Sequence, residues 1–155
     1  MSQEYRVIQA DIRLPYNWAL GKTWTKFFDC LKDEKIYGTK CEQCNQVFVP
    51  ARPFCPQCYS DEMRWIMVGR EGTLKSWTIV NKTYPNQPRN TPYAVSFIRL
   101  DGADCDFCHF IAGSDLKDLN DFRKTLKEGM RVRAVWKEEK NADILDISHF
   151  EPVKS

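Results

Sequence analysis

Residues 41–58, CEQCNQVFVPARPFCPQC, contain two Cys-x-x-Cys pairs: Cys41 with Cys44, and Cys55 with Cys58. Two residues between thiols let a tight turn aim both sulfur atoms at one point, and two such turns form a tetrahedral four-sulfur site. Four protein ligands leave no open coordination position, so the pattern predicts a structural Zn²⁺ rather than a catalytic ion. So short a module buries too little apolar surface to fold alone. We therefore expect loss of any one of the four cysteines to unfold it.

Composition bounds the class of protein. The chain has 155 residues, of which 43% are apolar, 13% aromatic and 28% charged, a profile typical of one globular domain or two small modules. No run approaches the roughly 20 apolar residues that span a bilayer, and residues 1–15 lack the apolar core of a signal peptide. Seven cysteines, four on a metal and three free, fit a reducing compartment, so we expect a cytoplasmic protein with no membrane partner.

Residues 1–37 are predicted to form an extended arm followed by an amphipathic helix. Pro15, Tyr16 and Trp18 are the expected anchors of the arm. From residue 21 to about residue 35, apolar side chains recur at helical spacing: Trp24, Phe27, Phe28 and Leu31. Such a helix packs either on its own domain or on a partner, and the sequence leaves both open.

The metal module is assigned to residues 38–63, and residues 64–155 are predicted to be mainly β. Expected strands cover 65–68, 73–81, 93–100, 105–112, 130–136 and 144–150, with one helix at 115–127. A polar, proline-rich loop spans 81–92. About five antiparallel strands, with one helix between the third and the fourth, form the element order of an OB-fold barrel. The predicted fold class is therefore mainly β, with a helical arm, a zinc ribbon and a five-stranded barrel.

Residues suited to catalysis are few. The two histidines, His109 and His149, fall in different predicted strands. Cys108 and His109 are neighbours in a strand and point to opposite faces, whereas Cys105 and His109 share a face if the strand is unbroken. Cys105 and Cys108 form a third Cys-x-x-Cys, which is either a redox pair, a second metal site or, as the favoured interpretation, two small core residues. The sequence predicts no catalytic residue.

Two further functions stay open as alternatives. A single-stranded nucleic-acid site needs a basic groove with stacking aromatics, for which Lys75, Trp77, Lys82, Tyr84 and Arg89 are candidates. The aspartates of the 101–106 hairpin would repel phosphate, and the net charge of +2 adds little attraction, so nucleic acid is an unfavoured partner. The second alternative is a rubredoxin-like electron carrier that holds iron on the same four cysteines.

Several strings together carry a resemblance to a known family over residues 20–151. They are YGTKCEQC at 37–44, VPAR at 49–52, FCPQC at 54–58, FIRLDGA at 97–103 and GMRVRAVW at 129–136. With them the chain resembles the acyl-CoA-associated OB-fold proteins, a family catalogued as a domain of unknown function with a rubredoxin-like zinc ribbon. The pair Cys105 and Cys108 departs from the family's general pattern and leaves a redox elaboration open.

The resemblance implies a small, non-catalytic partner of a thiolase-superfamily enzyme or of a related acyl-CoA hydratase or aldolase, and the favoured form is the scaffold subunit of a thiolase-type acyl-CoA complex. The partner subunit would supply the catalytic cysteine and histidines for thiolytic cleavage of a β-ketoacyl-CoA. The LDGA hairpin is most similar to small subunits of degradative thiolases, including those acting on aromatic acyl-CoA such as benzoylsuccinyl-CoA. On this reading Tyr16, Trp18, Trp24 and Phe28 dock the partner, and Lys82 and Arg89 of the 81–92 loop lie near the phosphates of CoA.

Overall fold

The structure, a computed structural model, describes residues 6–9, 15–111 and 119–153. Its helices are α1 (Gly21–Lys32) and α2 (Leu119–Thr125), and a 3₁₀ turn covers Ile144–Asp146. The strands are β1 (Tyr37–Cys41), β2 (Val47–Phe48), β3 (Met63–Met67), β4 (Glu71–Val80), β5 (Tyr93–Leu100), β6 (Asp106–Ile111), β7 (Arg131–Trp136) and β8 (Ile147–Pro152). Within these ranges, no helix combines the length and the apolar character that crossing a bilayer requires.

The metal ribbon is a three-stranded antiparallel sheet with β1 at its centre. β2 pairs on one side of β1 and β3 on the other, with Tyr37 opposite Met67 and Cys41 opposite Met63. Gly38 lets β2 approach, since a Cβ atom there would lie 2.7 Å from the carbonyl oxygen of Phe48. The sequence assigned the strand at 65–68 to the barrel region, but its pairing is with the ribbon. The boundaries 1–37, 38–63 and 64–155 stay predictions.

The remaining strands close into a five-stranded barrel in the order β4-β5-β6-β8-β7, with α2 between β6 and β7. This confirms the predicted mainly β class and the OB-type element order. One pairing differs from the antiparallel expectation: β6 and β8 run parallel where Ile111 meets Phe150. Closing the barrel requires this parallel pair, because β8 lies between β6 and β7 and runs antiparallel to β7.

One continuous apolar core joins the helix, the ribbon and the barrel. Phe27 and Leu31 of α1 are completely buried, in the same cluster as Val49 of the ribbon and Leu74 and Phe150 of the barrel. Of the two placements left open by the sequence, α1 therefore packs on its own chain. Burial of two such side chains is worth roughly 3–6 kcal/mol before the entropy cost of ordering them.

Both predicted helices end earlier in the structure. α1 ends at Lys32, because Asp33 leaves the helical region and Glu34 takes a positive φ of 60°. α2 covers 119–125 of the predicted 115–127, and the predicted first turn, with Leu116, lies outside the described residues. Phe122 and Leu126 are buried at 3% and 2% exposure, as their spacing predicted.

Candidate metal centre and its surroundings

The four cysteines of the two Cys-x-x-Cys pairs meet at one point. Every Sγ atom lies within 4.8 Å of the others, with Cys41 and Cys58 at 3.4 Å and Cys44 and Cys55 at 3.6 Å. A tetrahedral site with Zn–S bonds of roughly 2.3 Å has S–S edges of about 3.8 Å. The thiols thus fit a four-sulfur metal site before any ion enters, as the spacing predicted.

Two turns of the same geometry carry these thiols. In the first, the Cys41 carbonyl accepts from the N–H of Asn45 at 2.9 Å; in the second, the Cys55 carbonyl accepts from the N–H of Tyr59 at 3.0 Å. Asn45 and Tyr59 both have φ near 60°, at 61° and 57°. Asparagine tolerates this left-handed conformation, whereas tyrosine adopts it at a cost in backbone strain.

The pKa values of Cys44, Cys55 and Cys58 are shifted in different directions. Burial alone would raise the pKa of Cys55, but the N–H groups of Cys58 and Gln57 and the adjacent thiols lower it to about 6. Hydrogen bonds with the Cys41 and Cys55 sulfurs raise the pKa of Cys58 to about 12. Backbone donors of the second turn thus favour the thiolate of Cys55, the form in which a cysteine binds a metal.

Cys105 lies beside this cluster without joining it. Its Sγ accepts from the N–H of Val49 at 3.2 Å and donates to the Val49 carbonyl at 3.3 Å, because the chain at residue 105 has not yet entered β6. Cys108 points to the outer face of β6 and is exposed, while His109 points inward and is buried. The strand predicted at 105–112 begins one residue later, at Asp106, and residue 112 lies outside the described residues. The unbroken strand on which a shared face of Cys105 and His109 depended is therefore not formed, and Cys108 is not a core residue.

The aspartates of the 101–106 hairpin are engaged by arginines and by the ribbon. Asp101 accepts both guanidinium nitrogens of Arg131, at 2.8 and 2.5 Å, and this pairing lowers the pKa of the carboxyl. Asp106 accepts from Arg99 at 2.7 Å. Asp104 instead accepts from the backbone N–H of Val47 at 2.9 Å. The hairpin is thus a junction between barrel and ribbon.

The two cations proposed for CoA differ in their surroundings. Lys82 is exposed, and its Nζ atom lies 5.6 Å from the ring centroid of Tyr84. Arg89 donates to the Ser148 carbonyl and stacks 4.3 Å from the ring centroid of Phe110. Burial lowers the pKa of Arg89. The Lys82 side chain therefore lies at the surface beside Tyr84, while the Arg89 guanidinium fixes the 81–92 loop to the barrel.

The four aromatics proposed for docking are here called the aromatic arm: Tyr16, Trp18, Trp24 and Phe28. The last three form a chain of ring contacts. Trp18 packs on Trp24 at 5.5 Å, and Trp24 packs on Phe28 at 5.9 Å. Trp18 stays 69% exposed and Tyr16 84% exposed, whereas Phe28 is partly buried against the core. The arm is anchored at its inner end and open at its outer end.

Sequence reasoning missed the turn formed by Asp146 and Ile144, which determines the surroundings of His109. Asp146 is 1% exposed and accepts from the N–H groups of Asn141 and Ala142 at 2.8 and 2.9 Å, which shapes the turn between β7 and β8. That turn places the Ile144 carbonyl 3.0 Å from Nε2 of His109. An aspartate inside the otherwise apolar stretch ILDI at 144–147 was the signal in the sequence.

A four-cysteine ribbon followed by an OB-type barrel defines the class of the fold. Two family models cover these two parts of the chain: a "ChsH2, rubredoxin-like zinc ribbon domain" matches 28–64, and a "ChsH2, C-terminal OB-fold domain" matches 65–137. The chain belongs to this ChsH2-type DUF35 family.

Relatives and solved structures are consistent with that family. A "DUF35 domain-containing scaffold protein" of Methanothermobacter thermautotrophicus is 30% identical over 103 residues, covering 61% of this chain and 76% of the relative. A protein of the same description from Pyrococcus furiosus is 28% identical over 101 residues, covering 65% and 68%. The solved "Ltp2-ChsH2(DUF35) aldolase" chain matches with a TM-score of 0.61 and 21% identity, covering 90% of this chain and 98% of that one, which supports the fold.

Proposed function

We propose that this chain is the non-catalytic scaffold subunit of a thiolase-type acyl-CoA enzyme in the cytoplasm, with a structural Zn²⁺ in its ribbon. The partner subunit supplies the reactive cysteine and histidines that cleave a β-ketoacyl-CoA with CoA, and an aromatic acyl group is the specific form of the proposal. The scaffold names of the relatives support the role, and the Ltp2-ChsH2 aldolase shows a DUF35 chain named together with an enzyme.

The observation that carries the proposal is the aromatic arm. Tyr16 and Trp18 expose most of their rings, yet Trp18 is held in place by Trp24 on a helix whose inner face is fully buried. Exposed large aromatics on a rigid support are the side chains that dominate protein–protein interfaces. A groove of about 390 Å³ between Trp24 and the 50–54 segment, with Phe54 52% exposed, continues this surface onto the ribbon.

Native mass spectrometry of the protein from its own source tests the scaffold role. We expect a complex with a second, thiolase-sized subunit and one zinc per copy of this chain. Replacing both Tyr16 and Trp18 with alanine should weaken the complex at least tenfold, since aromatic anchors in interfaces each contribute about 2 kcal/mol or more. Tyr59→Asn is the matched control: it removes a ring that is 81% exposed on the ribbon, and asparagine accepts its positive φ.

The contact with CoA is tested separately. Lys82→Ala in the assembled complex should raise the Michaelis constant for CoA several-fold, because an ammonium–phosphate pair at a partly open site is worth about 1 kcal/mol. Arg89→Ala should both raise the Michaelis constant for CoA and destabilise the 81–92 loop, since the Arg89 guanidinium holds that loop to Ser148 and Phe110. An unchanged constant in Lys82→Ala would remove this cation from the CoA site.

Metal analysis separates the zinc scaffold from the iron electron carrier. Both metals accept four thiolates in a tetrahedron, so the geometry of the sulfur atoms does not choose between them. A colourless preparation with one zinc per chain supports the scaffold. A red preparation with one iron per chain would replace it with electron transfer.

A further inference from the structure

The ribbon sheet has two edges, and the barrel covers only one of them. At the β2 edge, the Asp104 N–H donates to the Val47 carbonyl at 3.0 Å, and the Asp104 carboxylate accepts from the Val47 N–H at 2.9 Å. Strand β3 forms the other edge and, among the residues that the structure describes, pairs only with β1. An open strand edge is a place where a further strand can be added.

The register of the sheet shows which backbone groups lie on this open edge. Hydrogen bonds of 3.0 and 2.9 Å between residues 42 and 62 and between residues 68 and 36 continue the β1–β3 register at even-numbered positions. Bonded pairs alternate along an antiparallel ladder, so the even-numbered residues of β3 bond to β1. The backbone groups of Met63, Trp65 and Met67 therefore point away from β1.

Most of these outward groups have no partner. Within the described part of the chain, the N–H and carbonyl groups of Trp65 and Met67 form no hydrogen bond on this side, and the Met67 side chain is 65% exposed. The Met63 N–H donates to the Asp61 carbonyl at 2.8 Å, so the chain bends immediately before the strand. The strand, MRWIM, has no proline, glycine, lysine or bulge, the features that usually protect an edge.

The open edge is only five residues long. Immediately beyond it, the Gly69 N–H donates to the Asp101 carbonyl at 2.9 Å, so the barrel hairpin occupies the next position on that edge. An added strand must therefore leave the edge after five residues. A second β3 strand meets this requirement: with two copies antiparallel and centred on Trp65, Met63 of each lies opposite Met67 of the other, and the bend before β3 falls where the hairpin stands.

The two ends of β3 carry opposite charges. Asp61 and Glu62 precede the strand and Arg70 follows it, and all three are exposed. None of the three forms an ion pair within the described residues, and the acids beside Arg70 are already paired with Arg131. Antiparallel pairing of two copies brings the acidic end of each strand to the Arg70 end of the other, which favours association.

We infer that two copies of this chain associate through their β3 strands, antiparallel about a two-fold axis at Trp65, and so join two ribbon sheets into one. Trp65 exchanges both backbone hydrogen bonds with its symmetry mate, and the Met67 N–H donates to the Met63 carbonyl of the other copy. The exposed Met67 side chain packs against Met63 across the axis. The inference does not depend on the scaffold role.

The remaining side chains of the strand are compatible with this register. Arg64 lies opposite Ile66 of the second copy, so no two like charges are directly opposed. Arg64 is also neutralised within its own chain by Glu42 at 2.6 Å. Because five paired residues form less than the roughly 800 Å² per partner of a standard interface, we expect a weak dimer with a Kd on the order of 100 μM.

Sedimentation equilibrium of the full-length, metal-loaded chain alone, from about 10 μM to about 1 mM, tests the association. Met67→Pro removes an outward N–H that β1 does not use, and edge strands accept proline. It should raise the Kd roughly 10- to 30-fold, the value of the two neutral hydrogen bonds lost per dimer. Phe97→Ala, at a 49% exposed position on the barrel, is the control and should leave the Kd unchanged. Metal content and circular dichroism verify that each variant is folded.

Cross-linking tests the register. Trp65→Cys places two thiols across the axis on Cα atoms about 5.5 Å apart, so mild oxidation should give a covalent dimer above the background of the unsubstituted protein. Met67→Cys is at a more exposed position but lies opposite Met63, so it should stay at background. If Trp65→Cys does not retain its metal, the double variant Arg64→Cys with Ile66→Cys replaces it, because these two residues are opposite each other in the same register.

Three results would overturn the inference: a monomer at every concentration, a Kd unchanged in folded Met67→Pro, or equal cross-linking of Trp65→Cys and Met67→Cys. A chain that is monomeric alone, and whose Trp65 and Met67 amides become protected from hydrogen exchange only in a complex from its source, would overturn it too and assign the β3 edge to the partner subunit. Absence of a thiolase-sized subunit from that complex would contradict the scaffold role without affecting the result for the isolated chain.

Discussion

Replacing Asp104 with alanine removes one of the two hydrogen bonds between Asp104 of the barrel hairpin and Val47 of the ribbon. The Asp104 carboxylate accepts from the Val47 N–H at 2.9 Å, and the Asp104 N–H donates to the Val47 carbonyl at 3.0 Å. Alanine keeps the second bond and deletes the first. The N–H of Val47, a residue only 7% exposed, then has no protein acceptor.

The expected loss is about 1–3 kcal/mol in the free energy of unfolding, the cost of leaving a buried donor unpaired when its acceptor was charged. Asp104→Asn keeps an acceptor oxygen and should recover about half of that loss. Asp106→Ala is the matched control two residues away. It breaks only the pair with Arg99, whose side chains are 33% and 41% exposed, so its cost should stay below about 1 kcal/mol.

Equilibrium unfolding of the metal-loaded protein in guanidinium chloride measures these differences. Tryptophan fluorescence reports on both modules, because Trp65 lies in the ribbon sheet and Trp77 in the barrel, and far-ultraviolet circular dichroism follows the strands. One coincident transition is expected, since the core is continuous across both modules. Equal losses in Asp104→Ala and Asp106→Ala, or a separate ribbon transition in the unsubstituted protein, would refute the junction.

Three further predictions concern the metal, the core and pH. Cys58→Ser should lose the bound metal and several kcal/mol of stability, whereas Cys30→Ser should keep both. Metal analysis and thermal unfolding measure these effects. Full metal occupancy in Cys58→Ser would contradict the assignment of Cys58 as a metal ligand. Phe27→Ala, at a fully buried position, should lower the free energy of unfolding in urea by about 3–5 kcal/mol. Phe54→Ala, at a position with 52% exposure, should lower it by less than about 0.5 kcal/mol. Equal losses in the two variants would contradict the shared core. The folded state keeps His109 neutral down to about pH 4, whereas the unfolded chain protonates it near 6.5, so stability falls as pH falls through that window. At about 1.4 kcal/mol per pH unit, the loss of stability from His109 approaches about 3 kcal/mol. The difference in stability between wild type and His109→Gln should therefore change between pH 6.5 and about 4. A difference that stays constant over this range would contradict the prediction.

The metal site was predictable because its chemistry is local. Two residues between thiols set the turn, and the turn sets the direction of each sulfur atom whatever surrounds it. The barrel was predictable as an element order, because alternation and turn residues mark strands within a few residues. The same patterns did not indicate that β3 pairs with β1 of the ribbon, since the sequence of an apolar strand does not specify which strand it will pair with.

The positions of the cysteines outside the metal site and of the loop cations depend on contacts with residues far away in sequence. Cys105 bonds to Val49, and Arg89 bonds to Ser148, 56 and 59 residues away. An alternating strand pattern gave Cys105 a partner in His109 only because it extended the strand by one residue. Nothing in the sequence near Arg89 distinguishes a loop anchor from a free cation.

By itself, the sequence determined the four-sulfur site, the mainly β class, and the inward direction of helix residues such as Phe27 and Leu31. These follow from the periodicities of 2 and 3.6 residues and from ligand spacing, all of which act within a few residues. Only the tertiary structure decided that ribbon and barrel share one core, that Asp104 and Cys105 join them, and that Nδ1 of His109 is buried without a partner. Barrel closure brings these groups together from distant parts of the chain, and no local pattern encodes which of them will meet.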